Sequence, residues 1–266
     1  MREFFGKYRG KVTSSQDPNF LGRIQVSVPA VLGDGKQSWA IPCVPYAGKD
    51  IGLFMVPPIG SNIWVEFEGG DPDYPIWSGC FWGKDELPKN AKVPNPEKVQ
   101  VFQTEGVTLT FSRFGATKGV SLEISKPVVE QPMKLVFDAN GIEINNNNKT
   151  TAKLLADSIE LKTGNNSTVT IATDSIQLQK QSVEVKLTDN SIELKNNPST
   201  VKLTTSAVEL NNSSAKVKIA PAGIELANSP GQAKVAPSGV ELGIGAASVK
   251  LSPVSVNVNN GALEVI

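Results

Sequence analysis

The hydrophobic and polar positions of residues 138–266 alternate in a phrase that returns about every sixteen residues. The phrase holds a small or β-branched residue, Ile or Val, a polar residue and a second apolar residue, as in Ser191-Ile192-Glu193-Leu194. Between its copies lies a second phrase with Lys in place of Glu, as in Val201-Lys202-Leu203. Alternate side chains of a strand point to opposite faces. Each unit therefore predicts two short strands, each with one apolar and one charged face.

Strands this short cannot bury their apolar side alone, so the fixed period predicts that copies stack around a continuous interior. We expect parallel stacking at about 4.8 Å, with Glu and Lys on neighbouring strands. Disorder is the alternative suggested by the Asn-rich residues 145–148, but disordered segments lack such regular Val, Ile and Leu positions. The predicted interior residues are Ile142, Ile159, Ile176, Ile192, Leu194, Val208, Ile224 and Val240.

Residues 1–96 predict a separate, compact all-β domain. Ile24, Val26 and Val28 alternate with polar residues, and Pro57-Pro58-Ile59-Gly60 indicates a turn between two further strands. Five or six short strands without a convincing helix are typical of a small barrel or sandwich. We assign residues 97–137 to a linker and transition collar, and residues 138–266 to the repetitive β-domain.

Composition supports this division and narrows the possible partners. Every aromatic residue lies between Phe4 and Phe137, which suits a narrow, uniform interior in the second half. The chain has 26 Lys and Arg against 26 Asp and Glu, so its formal net charge is zero. That balance argues against a nucleic-acid glove or a polybasic membrane anchor. No run reaches the roughly twenty apolar residues that span a bilayer, and the N-terminus does not resemble a signal peptide. We therefore expect synthesis in the cytoplasm.

The residue types argue against catalysis. The chain contains no His, the usual general base near neutral pH and the commonest metal ligand. Glu66 with Glu68, or Asp71 with Asp73, could be proposed as a carboxylate pair for glycoside hydrolysis. Acidic residues in a turn have an ordinary structural explanation, however. We predict no catalytic residue, no cofactor and no metal site.

Two cysteines and four tryptophans are further candidates. Cys43 and Cys80 lack companions for a metal site, so we expect small buried side chains, with a disulfide as the alternative. Tryptophans on a small barrel could stack on nucleic-acid bases, but such sites need a strongly positive groove. We expect these rings to fill the barrel or a subunit interface instead. The four are Trp39, Trp64, Trp77 and Trp82.

Several motifs occur together, in a fixed order, between residues 5 and 85. As a set they resemble the oligonucleotide/oligosaccharide-binding (OB-fold) domain of contractile-tail spike proteins. That family includes cell-puncturing and baseplate assembly V proteins of phages, valine-glycine-repeat spikes of type VI secretion and spikes of extracellular injection systems. The motifs are Leu21-Gly22-Arg23-Ile24-Gln25-Val26, Trp39-Ala40-Ile41-Pro42, Pro45-Tyr46-Ala47-Gly48, Pro57-Pro58-Ile59-Gly60-Ser61, Ile63-Trp64-Val65-Glu66-Phe67-Glu68, Gly70-Asp71-Pro72-Asp73-Tyr74-Pro75 and Gly79-Cys80-Phe81-Trp82.

The resemblance implies an all-β chain with an N-terminal OB-fold barrel and a C-terminal triple-stranded, intertwined, trimeric β-helix. It implies a structural spike without a lysozyme domain, which links the tube end of a baseplate to the tip and pierces the target envelope when a sheath contracts. The expected partners are two further copies, tube and hub proteins at the barrel end, and transiently the target membrane. Assembly would occur in a phage tail or contractile injection particle. The alternative from the sixteen-residue period is a monomeric β-solenoid adhesin or glycan-binding module.

The C-terminus carries one further expectation. Some members of the family end in paired His residues that hold iron, which this chain lacks. An exposed apolar end would be a sticky surface. The resemblance implies a cap, a conical tip protein of the proline-alanine-alanine-arginine repeat type, and the expected contact residues are Leu263, Val265 and Ile266.

Overall fold

The computed structural model describes residues 2–115, 118–147 and 149–265. Two compact units divide the chain, Met1–Lys92 and Val93–Ile266. The assignment of residues 97–137 to a separate collar stays a prediction. In the described part of the chain, no helix has the length and apolar character needed to cross a membrane.

The first unit is a five-stranded closed barrel, in which β3 and β7 pair in parallel and the other neighbours pair in antiparallel fashion. This barrel confirms the predicted all-β class with an N-terminal OB-like domain. Strands β4 and β5 form a separate hairpin. The elements are β1 (Tyr8–Ser14), β2 (Ile24–Ser27), α1 (Pro29–Leu32), β3 (Ser38–Pro42), β4 (Ala47–Gly48), β5 (Ile51–Gly52), β6 (Asn62–Phe67) and β7 (Pro75–Cys80), with 3-10 turns at Glu68–Gly70 and Lys89–Ala91.

The barrel core follows the alternation in the sequence. Ile24 and Val26 on β2, with Val28 just after it, are completely buried. They pack with residues from the other four strands, which are Val12, Ala40, Ile63, Val65, Phe67 and Trp77. Each buried aliphatic side chain contributes roughly 1.5–3 kcal/mol relative to exposure. The cluster therefore gives this domain a core of its own.

The second unit is one long antiparallel sheet. Each strand from β9 to β26 pairs with the strand before it and the strand after it. The strands are β8 (Val99–Thr104), β9 (Val107–Ser112), β10 (Gly119–Ile124), β11 (Met133–Asp138), β12 (Gly141–Asn145), β13 (Thr151–Leu155), β14 (Ser158–Thr163), β15 (Ser167–Ala172), β16 (Ser175–Lys180), β17 (Val183–Thr188), β18 (Ser191–Asn196), β19 (Ser199–Thr204), β20 (Val208–Asn212), β21 (Ala215–Ala220), β22 (Gly223–Asn228), β23 (Gly231–Ala236), β24 (Gly239–Ile244), β25 (Ala247–Leu251), β26 (Val256–Val258) and β27 (Leu263–Val265), with 3-10 turns at Pro96–Lys98 and Asn259–Gly261.

The direction of pairing corrects the parallel stacking expected from the period. Asn196 ends β18 and Ser199 begins β19, so only two residues connect them. Connections this short join antiparallel strands, whereas parallel strands need a crossover of a dozen residues or more. The sheet also differs from a solenoid of stacked parallel coils. Inner strands therefore use both hydrogen-bonding edges within the chain, and the trimeric arrangement of the expected β-helix stays a prediction.

The turns at one end of the strands are closed by small residues. Thr188 Oγ1 accepts the Ser191 backbone N–H at 3.1 Å, and Thr204 Oγ1 accepts that of Ala207 at 2.9 Å. In later turns Gly takes the position of Ser191, and Gly223 has a φ of 141°. A Cβ on Gly223 would lie 2.2 Å from the Val235 carbonyl oxygen, so this turn requires glycine.

Candidate assembly surfaces

The long sheet has an apolar face made by the Ile, Leu and Val residues that alternate with polar ones along β9 to β27. Cross-strand register places Ile192 opposite Leu187 on one side and Leu203 on the other. Following such pairs from strand to strand gives one continuous row across the sheet. That row contains Ile142, Ile159, Ile176, Ile192, Val208, Ile224 and Val240, while Leu194 lies in the row beside it.

The apolar face is not covered within one chain. Ile192 is 44% exposed and Leu194 is 43% exposed. Ile159, Ile176 and Ile224 are exposed to a similar extent, whereas Ile142, Val208 and Val240 are half-buried. The structure thus brings all eight predicted interior residues to one face. Their burial in an interior stays a prediction.

The opposite, charged face carries cross-strand pairs of Glu and Lys. Lys218 Nζ lies 3.1 Å from Glu209 Oε1, and Lys234 Nζ lies 3.0 Å from Glu225 Oε1. The hydrogen bond from Lys218 lowers the pKa of the Glu209 carboxyl below its ordinary value. The Glu225 carboxylate likewise raises the pKa of Lys234. The predicted alternation of charge on neighbouring strands is confirmed, and this charged face contrasts with the apolar one.

One rim of the barrel is also apolar. Phe20 is 94% exposed at a φ of 54°, a region that non-glycine residues rarely adopt. Leu21, the next residue in the chain, is 61% exposed, and Phe54, whose ring approaches Gly22, is 79% exposed. They border a cavity of about 410 Å³, whose lining includes Tyr46 and Leu53. The rim is a second candidate contact surface.

Asp17 holds the loop that presents Phe20. Its carboxylate accepts the backbone N–H groups of Asn19, Leu21 and Arg23, and the Arg23 guanidinium at 2.7 Å. The bond from Arg23, followed by the three backbone N–H groups, holds the Asp17 pKa far below its ordinary value despite the opposing effect of desolvation. These contacts of Asp17 are here called the Asp17 latch, and the periodicity of the sequence did not indicate them.

The comparison with known proteins concerns the barrel. Residues 8–82 match the family model of the type VI secretion system/phage-baseplate injector OB domain. The N-terminal barrel is thus similar to injector OB domains, and we call it the injector OB domain. The chain is also similar to the type VI secretion system spike protein VgrG4b of Pseudomonas aeruginosa, with 33% identity over 84 residues. The match covers 31% of this chain and 10% of that protein, so the chain spans about a tenth of its relative's length. The resemblance to spike and baseplate proteins is thereby confirmed.

Two of the four carboxylates considered for catalysis, Glu66 and Asp71, make contacts within the injector OB domain. Glu66 Oε1 lies 2.9 Å from Lys7 Nζ, and that bond lowers the Glu66 pKa. Asp71 Oδ1 accepts the Asp73 backbone N–H at 3.0 Å, as a turn residue does. Among the residues that the structure describes, no group of three or more His, Cys, Asp or Glu side chains could hold a metal ion.

The cysteines of the injector OB domain depart from expectation. Cys43 and Cys80 are free and exposed, so the prediction that both are buried is wrong. Cys43 follows the end of β3 and Cys80 ends β7, where the strands leave the core. Partial desolvation raises the pKa of the Cys80 thiol. The two thiols are therefore surface groups.

The four tryptophans of the injector OB domain differ in burial and in the side chains that they contact. Trp77 belongs to the core, whereas Trp82 is 65% exposed. Arg23 lies over the Trp39 ring and Arg9 over the Trp64 ring, at 5.3 and 5.8 Å from the centroids. Two of the four rings thus stack on arginines of their own domain.

Two of the three predicted tip residues, Leu263 and Val265, lie in the last strand. Leu263 is 59% exposed and pairs with Val258. Val265 pairs with Val256 through the backbone, and Ile266 lies outside the described residues. Their contact with a tip protein stays a prediction.

Proposed function

We propose that this chain is the structural central spike of a contractile tail or injection system. The injector OB domain would join the spike to the tube end of a baseplate, and the repetitive segment would lead to the tip. The spike would pierce the target envelope mechanically when the sheath contracts. The injector OB family and the similarity to a type VI secretion spike support this assignment.

The observation that carries the proposal is the exposed apolar face of the long sheet. Side chains such as Leu161, Leu178 and Leu226 are 45–47% exposed, and similar ones recur on each strand from β12 to β27. Monomeric proteins rarely expose continuous apolar patches larger than a few hundred Å². Three copies arranged around one axis would bury these faces together and leave the charged faces in water. We therefore infer a homotrimer.

The proposed mechanism requires stiffness rather than chemistry. From β12 to β27 there are 16 strands. At about 4.8 Å between neighbours, they form a ladder of roughly 70–75 Å. Backbone hydrogen bonds run along the ladder, and a dry, close-packed interior resists compression. We infer no enzymatic activity, and measurable peptidoglycan cleavage by the purified protein would contradict this.

The proposed partners follow from the two ends. Tube and hub proteins of the baseplate would bind at the injector OB domain. A conical tip protein of the proline-alanine-alanine-arginine repeat type would cover Leu263, Val265 and Ile266. Contact with the target membrane would be transient. Assembly would take place in a phage tail or a secretion or injection apparatus.

Mass measurement in solution tests the assignment. Light scattering coupled to gel filtration should give three times the chain mass of 28.3 kDa. The trimer should persist at low micromolar concentration and in 1 M salt, because apolar burial does not weaken with ionic strength. A particle of one chain mass would overturn the spike proposal and favour the monomeric adhesin.

A further inference from the structure

The apolar face contains a third row that is not apolar. Cross-strand pairing links Asn196 to Ser199, Ser199 to Asn212, Asn212 to Ala215, Ala215 to Asn228 and Asn228 to Gly231. These six residues, here called the asparagine row, share the face of Leu194 and Leu210. An asparagine thus recurs on every second strand, with a small residue between.

The asparagine row, apart from Asn196, borders a groove of about 620 Å³ that crosses β19 to β23. Its apolar side includes Val201, Leu210 and Leu226. The strand positions between them, among them Thr200, Asn211 and Lys216, also border the groove, although their side chains belong to the charged face. Ser199, Ala215 and Gly231 leave room between the asparagines, and the groove opens to solvent within one chain. A ligand seated here would meet aliphatic groups on one side and amide donors and acceptors on the other.

The opposite end of the same strands carries a row of turns with the same spacing. These turns, here called the turn row, lie at residues 188–191, 204–207, 220–223 and 236–239. They join every second pair of strands, so they repeat at about 9.6 Å, as the asparagines do. Most of their residues are Ser, Thr, Ala, Gly or Pro. Such short side chains leave backbone N–H and C=O groups accessible.

We propose that, in the trimer, the turn row of one copy occupies the groove of the next copy, where the asparagine amides bond its backbone groups. This inference rests on the proposed trimeric spike. Three sheets around one axis meet at three seams, and each seam sets the strand ends of one sheet against the inner face of its neighbour. Buried backbone polar groups need partners that aliphatic side chains cannot supply. The asparagine row supplies them at the matching interval.

Disulfide cross-linking tests the seam. In a Cys43→Ser, Cys80→Ser background, Asn212→Cys is combined in turn with Ser206→Cys, Ala222→Cys or Ser238→Cys. Within one chain residue 212 and the turn row lie at opposite ends of the strands, roughly 17–20 Å apart. That separation exceeds the reach of a disulfide. Any bond between them therefore joins two copies.

The control moves the thiol by one residue to the charged face. Asn211→Cys replaces Asn212→Cys with the same three partners, since Asn211 donates to Thr200 on the opposite face. At least one Asn212→Cys pair should give covalent dimers and trimers on a non-reducing gel, at no less than tenfold the control yield. A trimeric particle in which no such pair cross-links, or the control cross-links equally, would overturn the seam and leave the spike assignment intact. A monomeric particle would overturn both.

A matched pair of substitutions gives a second measurement. Asn212→Asp should lower the melting temperature of the trimer by at least 5 °C, because a carboxylate in the seam would be desolvated and would lose the amide donors. Asn211→Asp should shift it by no more than about 1 °C. Equal shifts for the two variants would contradict the seam.

Discussion

Ile192→Asp distinguishes an apolar face that is covered from one that is open. In a single chain Ile192 is 44% exposed, with Leu187 and Leu203 as cross-strand neighbours. The substitution would then cost only about 1–1.5 kcal/mol, since only the buried half of the side chain loses its apolar contacts. In a trimer each copy would lose roughly 1.5–3 kcal/mol of aliphatic burial. Each copy would also be destabilised by about 1–3 kcal/mol, because the new carboxyl group would be buried without hydrogen-bond partners. Three copies together would lose on the order of 10 kcal/mol or more.

The expected result is failure to form the trimer, measured by light scattering and by a circular dichroism melt. Thr200→Asp is the control, because Thr200 lies on the charged face opposite Lys195 and should tolerate a carboxylate. Desolvation raises a carboxyl pKa, so the neutral form favours assembly and acid should partly restore the Ile192→Asp trimer. An unchanged, heat-stable trimer at neutral pH would refute the reasoning and would place Ile192 outside the interior.

Four further outcomes follow from the structure. Glu209→Lys should change the melting temperature by no more than about 2 °C, since exposed ion pairs contribute little; a larger loss would mean that the charged face is covered. Gly223→Ala should lower the melting temperature by several degrees because its Cβ meets a carbonyl, whereas Ser191→Ala at the equivalent position should cost less; equal losses would contradict the glycine requirement. Asp17→Asn should destabilise the injector OB domain at pH 7. The depressed Asp17 pKa stabilises the fold above the ordinary carboxyl pKa of 3.8 and stops doing so as pH falls through its folded value, so the difference in melting temperature from the native protein should shrink in acid, and a constant difference would count against the latch. Deleting residues 262–266 should leave a trimer that no longer retains the tip protein in a pull-down; retention would disprove the predicted contact.

The sequence was sufficient to place residues on faces because the strand period is two. Ile159, Ile176 and Ile192 fall in one row because each unit contains two strands and two short turns. The period does not indicate whether neighbouring strands are parallel or antiparallel. The two-residue connection at Asn197 and Pro198 does indicate it, because so short a connection can join only antiparallel strands. Turn length is therefore the better indicator of direction in such repeats.

Features that depend on loop conformation were beyond the sequence. The Asp17 latch needs three backbone N–H groups to converge, and alternation says nothing about a loop. Asn212 and Asn228 resemble ordinary turn residues until cross-strand register places them beside Leu210 and Leu226. Cys43 and Cys80 lie at strand ends, where a run of apolar letters does not show that the strand has left the core.

The pairing of each strand with its immediate neighbours makes the length of this segment adjustable. A sixteen-residue unit holds two strands, so adding or removing one unit leaves the direction of the following strands unchanged. The apolar residues stay on the same face, and the turns stay at the same ends of the strands. Removing residues 205–220 would shorten the ladder by about 9.6 Å. Removing a single strand would instead invert the direction of every later strand and exchange the two ends at which its turns lie. Because contacts are local, hairpins can form independently and extend in either direction. Repetitive segments of different length can thus arise by duplication of one short stretch of gene, without a change at either end.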